Sequence, residues 1–306
     1  MLDQDTFLIT LYVLIDDFCR DHLPKEPNLP GPNSALVRSE VLTLSLFGQW
    51  ARFRSERDFY RFATSCLKHL FPKLPNLSQF NRAQRAHQRT LLALSAFLVE
   101  KLDARNCPFE VIDRCGVATR WCGRRGVGWM PEDTDKGYCS RLGYFQGLHL
   151  LTCLNPDGVV TGFGVSAASA KDQPLAEAFF GARHHGLASS PCVGLPCRSG
   201  YYVTDQGFMG KKRHQDWLVH FGVRVVHAQT GCKRLWRRWL AGLRQIVESV
   251  HDDLLNSFRL DRERPHELRG FFARLSAKVA LHNFCIYLNR SLGRPSLQFA
   301  DLLGWR

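Results

Sequence analysis

The sequence predicts an α/β fold in which a mixed β-sheet follows an all-α region and precedes further helices. Three observations predict it. Apolar residues recur at helical spacing through residues 5–105, short apolar runs of strand length begin after Asn106, and helical spacing returns from Leu268 to Leu292. Helices that cover a sheet are the arrangement that buries such strands. The predicted parts are a helical N-terminal region at 1–105, an α/β core at 106–265 and a C-terminal helical segment at 266–306.

Proline-containing breaks at 24–32 and 72–75 divide the N-terminal region into separate helices. The spacing predicts one helix over 78–102, with Ser78 as its N-cap. Three arginines spaced by three and four residues form a basic stripe on this helix: Arg82, Arg85 and Arg89. Such a stripe suits contact with a phosphate backbone, and an ordinary solvated helix face explains it equally well.

The core region alternates between strands and helices. A strong turn at Asn155–Gly158 predicts a hairpin between the second and third strands, so the sheet is of mixed direction. The predicted strands are Phe109–Ile112, Phe145–Leu154, Val159–Val165, Tyr201–Thr204 and Val223–His227. The predicted helices are Pro174–His184, Met209–Phe221 and a long one that starts near Leu235.

The charge balance favours a polyanionic partner. The formal net charge is +13, and the excess is +3 in residues 1–105, +3 in 106–231 and +7 in 232–306. Nucleic acid is the first candidate partner and an acidic membrane surface the second, although solvated surface lysines and arginines also produce such a count. The N-terminus lacks a basic signal-peptide region, and no apolar run approaches the roughly 20 residues of a membrane helix. These two features predict a protein without a membrane partner. The 11 cysteines contain no C-x-x-C pair, which favours a reduced, cytoplasmic protein.

Two aspartates follow apolar strands. Asp113 ends the run Phe109–Asp113, and Asp205 ends Tyr201–Asp205. Ligands of open α/β sheets bind outside the carboxyl ends of strands, so the two carboxylates are expected to converge there. Each aspartate taken alone is better explained as a cap of the following turn. The pair, with a third acid, predicts a divalent-cation site for phosphodiester chemistry.

The best candidate for the third acid is Glu248, on the long helix. An ideal helical wheel places it nearly opposite the apolar stripe, beside Arg244 and Asp252. The alternative interpretation is a solvated ion pair with Arg244, and the catalytic role requires that the polar face of the helix lines the cleft. Asp252 is the strongest rival for the third role, and Asp253 is a weaker one.

These features resemble the DDE transposases of bacterial insertion sequences, and among them the insertion sequence 982 family. The likeness covers roughly residues 105–300, and it is specific because its motifs occur in order. The motifs are Val111–Asp113, Cys122–Arg124, Gly137–Cys139, Tyr144–Leu150, Thr204–Gly210, Arg244–Glu248, Arg262–Arg264, Gly270–Leu275 with Lys278, and Tyr287–Pro295. Two positions depart from the family: Gln206 stands where lysine is usual, and Leu255 where a basic or polar residue is usual.

The resemblance implies an RNase H-like catalytic core in which Asp113, Asp205 and Glu248 are the catalytic acids and hold two Mg²⁺ ions, with Mn²⁺ as a possible substitute. It implies cleavage at terminal inverted repeats and transfer of the freed strand to target DNA. Because pairing two DNA ends needs at least a dimer, we expect a homodimer or higher oligomer on DNA in the nucleoid. A catalytically inactive DNA-binding relic or repressor, or a nuclease that only cuts, are the alternatives.

Twelve basic residues are predicted to bind DNA, some from the N-terminal region and most from the core. They are Arg82, Arg85, Arg89, Arg120, Arg124, Arg125, Lys136, Arg141, Lys211, Lys212, Arg262 and Arg264.

Overall fold

The structure is a computed structural model that describes residues 1–25, 34–121, 125–126, 128–185, 192–194, 196–208, 210–227 and 233–305. The chain forms two compact units. The first contains Met1–Phe97, Ser257–Arg259 and Arg269–Arg306, and the second contains Leu98–Asn256 and Leu260–Leu268. Among the described residues, no helix is long and apolar enough to cross a membrane.

The first unit is helical, as the sequence predicts. A cluster of aromatic rings forms much of its core, with Phe7 packed edge-on against Phe284 at 5.5 Å and tilted against Phe47 at 6.0 Å. In the C-terminal segment, Phe272, Leu275, Val279 and Phe284 are buried. The helices are α1 (Gln4–His22), α2 (Arg38–Phe47), α3 (Glu56–Cys66), α4 (Leu77–Ala86), α5 (Gln88–Lys101) and α9 (Leu268–Ser291), where α5 and α9 extend across the boundary between the units.

The single helix predicted over 78–102 is wrong. The chain leaves helical geometry at His87, which separates α4 from α5. Asn76, not Ser78, is the N-cap of α4, because its side chain accepts a hydrogen bond from the Gln79 backbone at 2.9 Å. Arg89 therefore lies on a different helix from Arg82 and Arg85.

The second unit contains a mixed sheet in the order β5-β4-β3-β1-β6-β7, with β2 paired to β3. Strands β1, β6 and β7 are mutually parallel, whereas β3 is antiparallel to β1 and to β4. This arrangement confirms the predicted mixed-sheet, RNase H-like fold, and Asn155–Gly158 makes the predicted hairpin turn. The strands are β1 (Glu110–Trp121), β2 (Asp135–Cys139), β3 (Gly143–Leu154), β4 (Val160–Ala167), β5 (Cys192–Gly194), β6 (Tyr201–Thr204) and β7 (Arg224–His227), of which the sequence did not predict β2 and β5.

Helices α6 (Asp172–His185) and α7 (Lys211–Phe221) cover one face of this sheet, and α8 (Arg234–Asp252) lies against β1. Ile112 and Tyr202 belong to the buried cluster formed with α6 and α7. Val111 and Val203 instead line a cavity with Leu243 of α8. Because successive strand residues point to opposite faces, β1 contributes side chains both to the layer of α6 and α7 and to the contact with α8.

Strand β1 is longer than the sequence predicts. It continues past Asp113 to Trp121, because β3 pairs with it as far as Phe145. The expectation that Asp113 ends a strand is therefore wrong. What ends near Asp113 is the parallel neighbour β6, whose last residue is Thr204.

Candidate active site

Asp113 and Asp205 are level on neighbouring parallel segments. The register joins Glu110 to Tyr202 and Val111 to Val203. Asp113 and Asp205 each follow the second pair by two residues, so they occupy equivalent positions beside the end of β6. Both line one cleft, and the convergence expected from the sequence is present.

Helix α8 brings a third acid to this cleft. Its polar face contributes Arg244, Glu248 and Asp252 to the lining. Glu248 is exposed and accepts a hydrogen bond from the Nε of Arg244 at 3.1 Å, so the ion pair expected on this helix is present. Asp252 accepts a hydrogen bond from Asn256 at 2.5 Å. Both candidates for the third acid thus line the cleft.

A buried hydrogen bond holds α8 against the sheet one turn beyond Glu248. The Nε2 of His251 lies 2.7 Å from the Oγ1 of Thr152, the residue that pairs with Asp113 across β1 and β3. Burial, with the nearby charge of Arg141, lowers the pKa of His251 to about 4. The imidazole is therefore neutral at pH 7 and fixes the distance between helix and sheet beside Asp113.

The cleft has a volume of about 590 Å³ and carries both signs of charge. Arg141, which donates to the carbonyl of Gly116 at 2.7 Å, and Arg244 are its described cations besides Arg114. Its carboxylates are those of Asp113, Asp172, Asp205, Glu248 and Asp252.

Asp172 is a cleft residue that the sequence reasoning missed. It is the first residue of α6, and its Oδ1 lies 2.5 Å from the Nε of Arg114. Arg114 also donates to the carbonyl of Ala170 at 2.9 Å and contacts the Nδ1 of His149 at 2.7 Å. An acidic residue two positions before Pro174, at a helix start, was the only signal in the sequence. That signal does not reveal which strand the helix start approaches.

Gly207 allows the carboxylates of Asp172 and Asp205 to approach each other. Its backbone N–H donates to the Oδ1 of Asp205 at 3.0 Å. A Cβ at this position would lie 2.3 Å from the Oδ2 of Asp172 and 3.1 Å from the Oδ1 of Asp205. A side chain at residue 207 would therefore separate two acids that share one corner of the cleft.

The carboxylates repel one another. Burial raises the pKa of Asp113 to about 6, and the charges of Asp205 and Asp172 add to the effect. Burial and Asp205 likewise raise the pKa of Asp172, against the opposing charge of Arg114. Within the described residues, no three His, Cys, Asp or Glu side chains are arranged to hold a metal ion. The donor set nevertheless fits a hard divalent cation, because its ligands are carboxylate oxygens whose repulsion such an ion relieves.

The basic residues predicted to bind DNA occupy several places. Arg141 lines the cleft, whereas Arg120, Arg125 and Arg264 line a separate pocket in the same unit. Arg262 is 3.9 Å from Asp261. Lys136 on β2 and Lys211 and Lys212 in the first turn of α7 are exposed, Arg82, Arg85 and Arg89 belong to the first unit, and Arg124 lies outside the described residues.

Comparison with known families decides what kind of protein carries this cleft. The family model described as Transposase DDE domain matches residues 116–284, more than half of the chain. The chain belongs to the transposase DDE domain family. The matched part includes Asp205 and Glu248 and begins three residues after Asp113. No curated protein sequence matches the chain. Membership of this family implies a catalytic transposase that binds DNA, and such enzymes typically use divalent metals.

Proposed function

We propose that this DDE transposase belongs to the insertion sequence 982 type. It cuts the terminal inverted repeats of its element and joins the freed 3′-hydroxyl to target DNA. The observation that carries the proposal is the equivalent position of Asp113 and Asp205 beside the end of β6, with the polar face of α8 lining the same cleft. The sequence motifs from Val111 to Pro295, in order, support the narrower assignment.

In this proposal Asp113, Asp205 and Glu248 hold two Mg²⁺ ions, which Mn²⁺ can replace. When bound, such ions would supply activation of a water or hydroxyl nucleophile and stabilisation of the leaving oxygen. Asp113 and Asp205 face the substrate from the sheet, and Glu248 completes the set from α8. Arg141 and Arg244 neutralise charge on the phosphate that enters the cleft.

Glu248 has to exchange partners for this role. In the structure its carboxylate accepts a hydrogen bond from Arg244. The side chain of Arg244 is 73% exposed and that of Glu248 is 62% exposed. An exposed pair of this kind contributes only about 0.3–0.5 kcal/mol. The carboxylate can therefore leave Arg244 at little expense, and Arg244 becomes available to the phosphate. Asp252, one turn further, is the alternative third acid.

Two DNA ends have to be held together for transposition, so we propose a homodimer or larger assembly on DNA. The exposed basic residues Lys136, Lys211, Lys212 and Arg262 of the second unit, with Arg82, Arg85 and Arg89 of the N-terminal region, supply contacts to the DNA backbone. This activity takes place on chromosomal DNA in the cytoplasm.

The decisive experiment is cleavage and joining of labelled duplexes that carry the element's own ends, in Mg²⁺, Mn²⁺ or EDTA. We expect activity only with metal, and a loss of roughly 10³-fold or more in Asp113→Asn, Asp205→Asn and Glu248→Gln. Asp216→Asn, on the exposed face of α7, is the matched control and should keep full activity.

Each result other than this one contradicts a defined part of the proposal. If the Glu248→Gln enzyme stays active, Asp252 is the third catalytic acid. Nicked ends without joined strands identify a nuclease. A wild-type protein that binds the ends and never cuts them identifies a DNA-binding relic or repressor.

A further inference from the structure

A second pocket, of about 160 Å³, lies in the second unit and is strongly basic. It shares no lining residue with the cleft, and none of its described lining side chains is a carboxylate. The lining consists of Ala118, Thr119, Arg120, Arg125, Gly128, Trp129 and Arg264. Three guanidinium groups around one small cavity, without a carboxylate among the described lining residues, favour an anionic ligand.

Arg120 carries the strongest sign of a missing ligand. Its NH1 donates to the carbonyl of Gly126, whereas its Nε is buried and has no hydrogen-bond partner among the described residues. A charged donor that is removed from water without an acceptor is unfavourable. An anion in the pocket would supply that acceptor.

Hydrogen bonds to nearby backbone carbonyls hold Arg264 in place. Its NH1 donates to the carbonyls of Asp261 at 3.1 Å and Glu263 at 2.7 Å. A guanidinium has five N–H donors, so these bonds orient the group and leave donors for a ligand. Arg125, which is exposed, adds the third positive charge.

Gly128 and Trp129 form the remaining wall. Gly128 has a φ of +83°, and a Cβ there would lie 3.1 Å from the Cβ of Arg120, so glycine keeps this wall from crowding Arg120. Trp129 is half-buried and packs edge-on against His266 at 4.9 Å. An indole beside guanidinium groups suits a nucleotide, whose phosphate needs charge and whose sugar or base needs an apolar surface.

We propose that this pocket binds a backbone phosphate of the DNA substrate at a fixed distance from the bond that is cut. The inference rests on the proposed function, since it takes the DNA in the cleft as given. Asp113 and Arg120 lie on the same strand, seven residues apart, which corresponds to roughly 20 Å. For a duplex whose axis runs along β1, at about 3.4 Å per base pair, the bound phosphate lies about six base pairs from the cleaved bond.

The test measures binding alone. Fluorescence anisotropy with a labelled 40-base-pair duplex of the element's end, in EDTA and at a series of KCl concentrations, gives Kd and its salt dependence. Arg264→Gln and Arg125→Gln should each weaken binding roughly tenfold and lower the slope of log Kd against log salt by about 0.9, the value for one phosphate contact. Arg125 is exposed, so the melting temperature of Arg125→Gln should not change and a loss of affinity in that variant reports on binding.

Arg20→Gln is the matched control, because it removes one positive charge, as each pocket variant does. Arg20 is exposed on α1 and already pairs with Asp17 at 2.7 Å and Asp21 at 2.9 Å, so its loss should change Kd less than twofold. A single neutral methylphosphonate, moved along the duplex, should weaken wild-type binding about six base pairs from the cleaved bond. At the same position, the methylphosphonate should not weaken DNA binding by the Arg264→Gln variant any further.

The proposal is overturned if both pocket variants bind DNA with the affinity and the salt dependence of the wild-type protein. This outcome is distinct from failure of the proposed function. A wild-type enzyme that cuts DNA while the variants bind normally overturns only the pocket. A wild-type protein that never cuts, while the variants still lose affinity and slope, overturns only the transposase activity.

Discussion

Breaking the buried ion pair between Glu110 and Arg183 should strongly destabilise the second unit. Both side chains are 0% exposed, and NH2 of Arg183 lies 3.0 Å from the Oε1 of Glu110. The Oε2 accepts from NH1 of Arg183 at 3.2 Å and from the backbone N–H of Cys197 at 3.1 Å, and Thr161 donates to Oε1. The pair ties β1 to α6, the two elements that carry Asp113 and Asp172.

Glu110→Gln preserves the shape and removes the charge. Arg183 then stays buried after losing the negative charge of Glu110, which costs about 3–5 kcal/mol. A domain of this size has a free energy of unfolding of about 5–15 kcal/mol, so the variant should lose a large part of it. Urea unfolding, followed by circular dichroism, measures the change.

Glu248→Gln is the matched control, since it breaks an exposed pair on α8. Its unfolding free energy should change by less than about 0.5 kcal/mol, while its DNA cleavage is lost. The reasoning is refuted if Glu110→Gln is destabilised by less than about 1 kcal/mol, or if the two variants are destabilised equally.

The same pair predicts an acid-sensitive fold. Burial opposes the charged form of Glu110, but the charge and hydrogen bonds of Arg183 outweigh it and hold the pKa of Glu110 below its ordinary value. A carboxyl with a depressed pKa in the folded state stabilises the fold above its unfolded pKa, near 4.3. That stability is lost as the pH falls through the folded pKa, and Glu110→Gln should remove this part of the pH dependence.

Two further predictions concern the cleft. Gly207→Ala places a Cβ 2.3 Å from the Oδ2 of Asp172. Because a misplacement of about 1 Å can lower a rate by about 10²-fold, DNA cleavage should fall by that order while DNA binding in EDTA is unchanged. Unaltered cleavage would contradict the close approach of Asp172 and Asp205 at Gly207. The pKa of His251 is about 4 in the fold, against about 6.5 unfolded, so the fold loses stability as the pH falls from 6.5 towards 4, by about 2 kcal/mol at pH 5. His251→Gln should flatten urea-unfolding energies over that range, and an unchanged slope would show that His251 is not the group responsible.

The sequence determined the helical N-terminal region, most strands of the sheet and the candidate acids. Apolar alternation and turn residues reveal a strand locally, so Tyr201–Thr204 and the Asn155–Gly158 turn were predicted as the structure has them. The polar face of α8 follows from helical periodicity alone. The assignment of Asp113, Asp205 and Glu248 as the catalytic set stays a prediction.

Only the tertiary structure decided what lies beside what. Strand β1 continues past Asp113 because β3 pairs with it, and the mixed polarity of residues 113–121 gave no local sign of that partner. The break at His87 contains neither glycine nor proline. Asp172 reaches the cleft, and Arg120 comes to share a pocket with Arg264, through contacts between residues far apart in the chain. Such contacts depend on strand register and helix docking, which no local pattern of side chains specifies.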